Sequence, residues 1–202
     1  MLRKKLSKYA LAILILSLSA AAARAQAVSD PQPLVSGTPI EHELASGESQ
    51  TYQIKLVAGQ FVHFGLEQRV INAAIILIAP DNKQQVEMDL SGAGGEETLS
   101  FEVITAGVYK LLVKGSGGTG QHGSYRLETI VKEAVSEADK KRLKAESLMI
   151  ETAALTKQGA KTTQQVIDKT AQALSLWQEI GEPYWAAACL YRIGSANLDV
   201  SA

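Results

Sequence analysis

The side chains able to do chemistry are few and scattered. The three histidines, His42, His63 and His122, fall in three different segments. None has a second His or a carboxylate at a metal-ligand spacing such as His-x-x-x-His. His63 alternates with Val62 and Phe64, so it is expected to point out of the core as a surface residue. Cys189, the only cysteine, stands among Ala186, Ala187, Ala188 and Leu190. A nucleophilic role needs a thiolate in a polar, accessible setting, whereas this context implies a small buried residue on a helix. Asp81, Asn82, Glu87 and Asp89 supply hard oxygen atoms of the kind calcium takes. They form no Asp-x-Asp-x-Asp-Gly loop, and solvated turn carboxylates are the expectation. The loop Gly115-Ser116-Gly117-Gly118-Thr119-Gly120 lacks the Lys-Ser/Thr of a phosphate loop and opens a strand. Tyr52, Tyr109 and Tyr125 are of a type that lines sugar or peptide sites, but their alternation turns them inward. No catalytic, cofactor-binding or metal-binding residue is assigned, and no cofactor is expected.

The elements that carry these residues are organised around Gly59 to Asn82. Val62, Phe64 and Leu66 alternate with His63, Gly65 and Glu67, the two-residue period of a half-buried strand. Ala74 to Ile78 is apolar throughout and reads as a strand covered on both faces, ended by Pro80-Asp81-Asn82. Other strands are expected at 41–44, 50–56, 84–90, 98–104, 108–114 and 124–131. The polar stretch 84–90 reads as an edge, and Gly115 to Gly123 as a mobile hairpin loop. About eight short strands with turn signals between them point to an antiparallel, jelly-roll-like β-sandwich over 37–132. A parallel sheet would need crossover helices, which are lacking here.

At Ser136 the period changes. Ser136-Glu137-Ala138-Asp139 has the form of a capping box. Ala138, Ala145, Leu148, Met149, Thr152 and Leu155 then follow helical spacing. Thr162 or Thr163 is placed to cap a second helix with its apolar side at Val166, Ile167, Thr170, Ala171, Ala173, Leu174, Trp177 and Ile180. Gly181 ends it and Pro183 opens a third. The buried side of that third helix is expected at Ala187, Leu190, Tyr191, Ile193 and Gly194. With nothing following to cover it, this side is expected to stay bare or to pair with another chain.

The chain has 202 residues. Residues 1–25 read as a secretory signal peptide: Arg3, Lys4, Lys5 and Lys8, then an apolar core from Ala10 to Leu18, then Ala23-Arg24-Ala25. The core is shorter than the ~20 residues of a membrane span, and no stable membrane anchor is expected after cleavage. Cleavage removes five of the 20 cations, leaving 15 against 21 acidic residues, a net charge of −6. Such a balance excludes a nucleic-acid partner. One cysteine makes no internal disulfide, so stability rests on the core. Residues 26–36 read as a flexible linker, and the location as periplasmic or extracellular.

Residues 37–131 resemble the bacterial pre-peptidase C-terminal type of β-sandwich. The likeness rests on Gly47-x-x-x-x-Tyr52, Ala58-Gly59-Gln60, Ile75 to Asn82, and two Gly-x-Tyr-basic-Leu strands, Gly107 to Leu111 and Gly123 to Leu127. Asn72 and Asn82 stand where that family often has Asp and Gly. Residues 162–199 are similar to tetratricopeptide repeats through Ala171-x-Ala173-Leu174-x-Leu176-Trp177 and Ala187-Ala188-x-Leu190-x-x-Ile193-Gly194. About one and a half repeats fit, so 136–202 is expected to be the incomplete start of an array. Signal, sandwich and repeat helices in this order resemble the N-terminal part of exported bacterial proteins that carry a caspase-like CHAT domain. The resemblance implies a fragment without the catalytic part: a non-catalytic binding or scaffold protein whose helical surface takes a protein or peptide. The alternatives are the accessory region of an exported caspase-like peptidase and a stand-alone carbohydrate or adhesion module.

Overall fold

The computed structural model describes residues 30–201, with side chains described over 30–198. The expected signal peptide lies outside the described residues. The strands are β1 (Gln32–Pro33), β2 (Ile40–Ala45), β3 (Ser49–Leu56), β4 (Phe61–Arg69), β5 (Asn72–Ile78), β6 (Gln84–Met88), β7 (Glu96–Glu102), β8 (Gly107–Ser116) and β9 (His122–Lys132). They form a five-stranded sheet, β1-β3-β8-β5-β6, and a four-stranded sheet, β2-β9-β4-β7. All pairings are antiparallel except the short one of β1 with β3. Gln32 and Pro33 fall in the expected linker, yet they pair with Tyr52 and Gln53, and Leu34 is buried behind them. A two-residue strand containing Pro has no period to read, which is why the count rises from eight to nine.

The two-residue period places the core. Tyr52, Ile54 and Leu56 from β3 meet Val62, Phe64 and Leu66 from β4 between the sheets. Ala73 to Leu77 is buried at every position, as its continuous apolar run implies. β6 is an end strand, as its polarity implies. Gly115 to Gly123 is not one long loop. β8 extends through Ser116 and β9 starts at His122, leaving a short turn that Gln121 ties down by donating from Nε2 to Val70 O at 2.7 Å. Two of its glycines serve close approach instead of flexibility. A Cβ on Gly115 would meet Ala45 O at 2.4 Å, and one on Gly123 would meet Arg69 O at 2.3 Å.

Three helices follow: α1 (Glu137–Thr156), α2 (Thr163–Glu179) and α3 (Pro183–Ser201). Ser136 caps α1. Its Oγ accepts from Asp139 N at 3.2 Å, and Asp139 accepts from Ser136 N at 3.0 Å, closing the capping box. Thr162 does not cap α2; its hydroxyl turns back and donates to Leu155 O and Gly159 O. Gly181, at φ +75°, follows α2 and turns the chain into α3. Trp177 stacks on Trp185 with ring centroids 5.8 Å apart, and Ala145, Leu148, Met149, Ala173 and Cys189 fill the space around them.

The buried side of α3 differs from the expected one. It is Trp185, Ala186, Cys189 and Ala196, whereas Leu190, Tyr191 and Leu198 are exposed by 56%, 79% and 73%. Ala187 and Gly194 are exposed with them and Ile193 is half-buried. α3 is apolar on two faces, so spacing alone does not choose between them. The bulk of Trp185 against Trp177 does. The helices lie on the outer face of the four-stranded sheet: α1 packs on β7, and Tyr184 Oη on α3 accepts from Glu96 N at 2.9 Å.

Candidate functional site

Most of the chemistry-bearing residues are occupied structurally and lie apart. Tyr52 and Tyr125 are fully buried and share a hydrogen bond of 2.7 Å between their hydroxyls. Burial holds both phenols above their ordinary range. Tyr109 is inward as well and donates to Thr105 O at 2.8 Å. His42 is exposed, meets Gln50 Oε1 at 3.2 Å and lies edge-on to Tyr125. Cys189 is buried with its thiol on Met149 Sδ at 3.5 Å, and burial pushes it up to about 11. A thiol so placed is not a nucleophile. The acidic turn residues are spread out. Asp81 pairs with Lys83, Asn82 accepts from Lys110, Glu87 from Gln84 and Asp89 from Asn72. Among the described residues no group of three or more His, Cys, Asp or Glu is placed to hold a metal ion.

His63 is the exception. It points away from the core, as its alternation implies, but not into water. The face it lies on is roofed by α1. Thr98 and Ser100, outward on β7, meet it there, together with Glu146 from α1. Glu146 is 4% exposed. Its carboxylate accepts from Ser100 N at 2.7 Å, Thr98 Oγ1 at 2.8 Å and Ser100 Oγ at 2.9 Å. The single Ser100 hydroxyl proton is spent on Glu146. The contact of 2.9 Å between His63 Nδ1 and Ser100 Oγ is therefore an N–H donation from a neutral imidazole. Burial, with help from Arg142 and Lys132, pushes His63 down to about 3. Burial holds the Glu146 carboxyl above the usual range, against the three donors and Arg142. Arg142 pairs with Glu182 and lies over the Trp177 ring at 5.6 Å.

Serine, histidine and glutamate in contact invite comparison with a hydrolytic triad, and the geometry rejects it. In a triad the carboxylate holds the far nitrogen of the imidazole, and the imidazole is the base. Here both act on the same hydroxyl, and an imidazole at about 3 is too weak a base. The cluster is a polar seam between layers. The sequence carried only the outward placement of its strand residues, since Thr98 and Ser100 alternate with Leu99 and Phe101.

Beside the seam lies a cleft of about 630 Å³, at the open side of the sandwich where end strands β6 and β7 face one another. Leu77 and Met88 line it from one sheet, Leu99 and Phe101 from the other, Leu143 and Ile150 from α1. Ser100 and Glu146 give it polar atoms, and Asp81, Glu102 and Glu151 stand at its margin. An apolar cleft with a few convergent polar groups is the common form of a binding site. A second buried carboxylate lies on β7: Glu97 accepts from Leu90 N at 2.9 Å, Ser91 N at 2.6 Å and Ser91 Oγ at 2.7 Å, pinning the link from β6 to β7.

No family model matches the chain, and no curated protein does. Among solved structures it is similar to PliG of Aeromonas hydrophila, a periplasmic inhibitor of g-type lysozyme, at 14% identity and a TM-score of 0.42, over 50% of this chain and 96% of that one. It is also similar to the pre-peptidase C-terminal domain of a Bacillus anthracis collagenase, at 17% identity and a TM-score of 0.41, over 50% of this chain and 94% of that one. Salmonella Typhimurium PliG gives 16% identity and a TM-score of 0.39, over 52% and 100%. Likenesses at these scores establish neither family nor function. Among the described residues no helix is long and apolar enough to cross a membrane.

Proposed function

We propose that the chain is a non-catalytic, exported binding protein: a pre-peptidase C-terminal-like sandwich that supports the first helices of a tetratricopeptide-like array. The observation that carries this reading is the double-faced α3. One face is used up on α1 and α2. The other presents Ala187, Leu190, Tyr191, Gly194 and Leu198 to solvent at the spacing of a helix-packing stripe. Its occupant is an amphipathic helix, because alternating large and small residues at that spacing accept the ridges of another helix. α3 also touches both earlier helices, through Cys189 on Met149 of α1 and Trp185 on Trp177 of α2, as the first helix of a next repeat would. In this reading the chain belongs to a longer exported protein of the CHAT-domain type.

Two measurements test it. The coding region is read past Ala202: further helical repeats support the array, and an immediate stop codon removes it. Light scattering and hydrogen exchange on residues 26–202 test the face itself. Concentration-dependent association that protects α3 supports docking there. A clean monomer with α3 fully protected overturns it.

A further inference from the structure

The cleft between β6, β7 and α1 plays no part in that helical surface. We infer that it is a second binding site, for an extended peptide segment that carries an apolar side chain and, two residues on, a Lys or Arg. Three observations point to this ligand. The first is the apolar lining: Leu77, Met88 and Leu99 form its buried floor, and Val86, Phe101 and Ile150 offer accessible apolar surface above them. Ile104 at the rim is 78% exposed, so the apolar surface continues out of the cleft.

The second is charge. Asp81, Glu102, Glu146 and Glu151 line the cleft, and no Lys, Arg or His does. Glu146 is already occupied by Thr98 and Ser100, Asp81 by Lys83 and Glu151 by Lys169. Glu102 is exposed at the mouth and has no salt bridge among the described residues; Lys140 attracts it from a distance but is itself paired with Glu137. It is the anion left over for a cation brought by the ligand.

The third is the backbone at the opening. β6 has β5 on one side only, so its other edge is open to an added strand. β7 across the gap is less available, since its Ser100 N–H already donates to the Glu146 carboxylate. An added strand therefore pairs with β6. Side chains two residues apart share a face of a strand, so one rests on the accessible parts of Val86 and Phe101 while the next on that face reaches Glu102.

The test titrates the 15N-labelled chain with the probe acetyl-Thr-Val-Thr-Lys-Thr-amide and follows amide shifts. Saturable shifts confined to β6, β7 and the facing turns of α1 are expected. The same probe with Glu in place of Lys is expected not to bind. Glu102→Gln, at an exposed site that leaves folding intact, should weaken the Lys probe about two- to fivefold. N-methylation of alternate probe amides along one edge should abolish binding, and along the other edge should spare it. Equal binding of the Lys and Glu probes, indifference to N-methylation on both edges, or shifts that map elsewhere would each overturn the inference. Binding lost on Leu190→Lys or Tyr191→Lys would place the peptide on α3 and overturn it as well. Association through α3 can fail while peptide binding persists, so the two readings fall separately.

Discussion

Replacing Glu146 in two ways should give opposite results. In Glu146→Ala the three donors lose their acceptor. Thr98 and Ser100 hydroxyls can turn to one another and to His63, which lies 2.9 Å from Ser100 Oγ and 3.4 Å from Thr98 Oγ1. The Ser100 N–H cannot turn. An orphaned, part-buried amide costs about 1–3 kcal/mol, and the one lost methylene adds about 0.8 kcal/mol where it is packed. A loss of about 2–4 kcal/mol is expected, most of it from one backbone group. Glu146→Gln keeps every bond if the amide is oriented correctly. Its oxygen takes the Ser100 N–H, and its NH2 donates to the two hydroxyls, each of which can accept. It also removes a charge from a site that disfavours one.

The pH dependence separates these causes. The Glu146 carboxyl sits above its ordinary value of 4.5 because of burial. A group raised on folding contributes stability that is fully present below its unfolded pKa and is lost as pH rises through its folded one. The advantage of Glu146→Gln over the native chain should therefore be smallest near pH 4, grow as pH rises, and then level off. Urea unfolding of the native chain and both variants at pH 4, 6 and 8 measures this directly. Titrations of groups away from the seam are common to all three proteins and cancel in the differences, and running the series in a His63→Gln background removes the one that touches it. A Gln variant as unstable as the Ala variant, or a Gln-minus-native difference that is flat with pH, would refute the account of the seam.

His63, depressed to about 3 from 6.5, binds its proton far more readily when the chain is unfolded, so stability should fall as pH drops from about 6.5 toward 3. Arg142, Lys132 and Asp139 surround it with the Glu146 seam, so His63→Gln is the variant to use, and it should remove this slope between pH 6.5 and 4.5 in urea titrations. Tyr52→Phe or Tyr125→Phe leaves a buried hydroxyl without its 2.7 Å partner and should cost about 1–2 kcal/mol by thermal unfolding. The double Phe variant should cost less than the sum of the two. Leu190→Lys with Tyr191→Lys should change unfolding by no more than about 0.5 kcal/mol, since both are exposed, while abolishing any association seen by light scattering.

What could be read from the sequence was the part with a local cause. The alternation at Tyr52, Ile54 and Leu56 depends only on a strand having two faces, and it placed those residues correctly. The box at Ser136 closes within four residues, so its bonds were visible before any fold was. The readings that failed needed distant information. Gly115 and Gly123 look like flexible-loop residues until Ala45 and Arg69 pass within contact of them. Leu190 and Cys189 lie on different faces of one helix that is apolar on both, and only a tryptophan on α2 decides which face turns in.

The seam was missed for the same reason, and it has a consequence for the whole arrangement. His63, Thr98 and Ser100 on the outside of a sheet, and Glu146 on a helix, each match the pattern of a solvent-facing residue. Only their meeting makes them a core. An apolar contact between α1 and β7 would tolerate sliding by a turn or a residue, because apolar area is indifferent to direction. A carboxylate fitted to three donors from two residues is not. Moving α1 by one residue would strand Ser100 N and a buried charge together, so the seam acts as a register device and not as a source of net stability. The same contact occupies the edge amide of β7, and it holds α1 as the third wall of the cleft. The placement of the binding cleft thus depends on four polar side chains that, taken one at a time, look like surface residues.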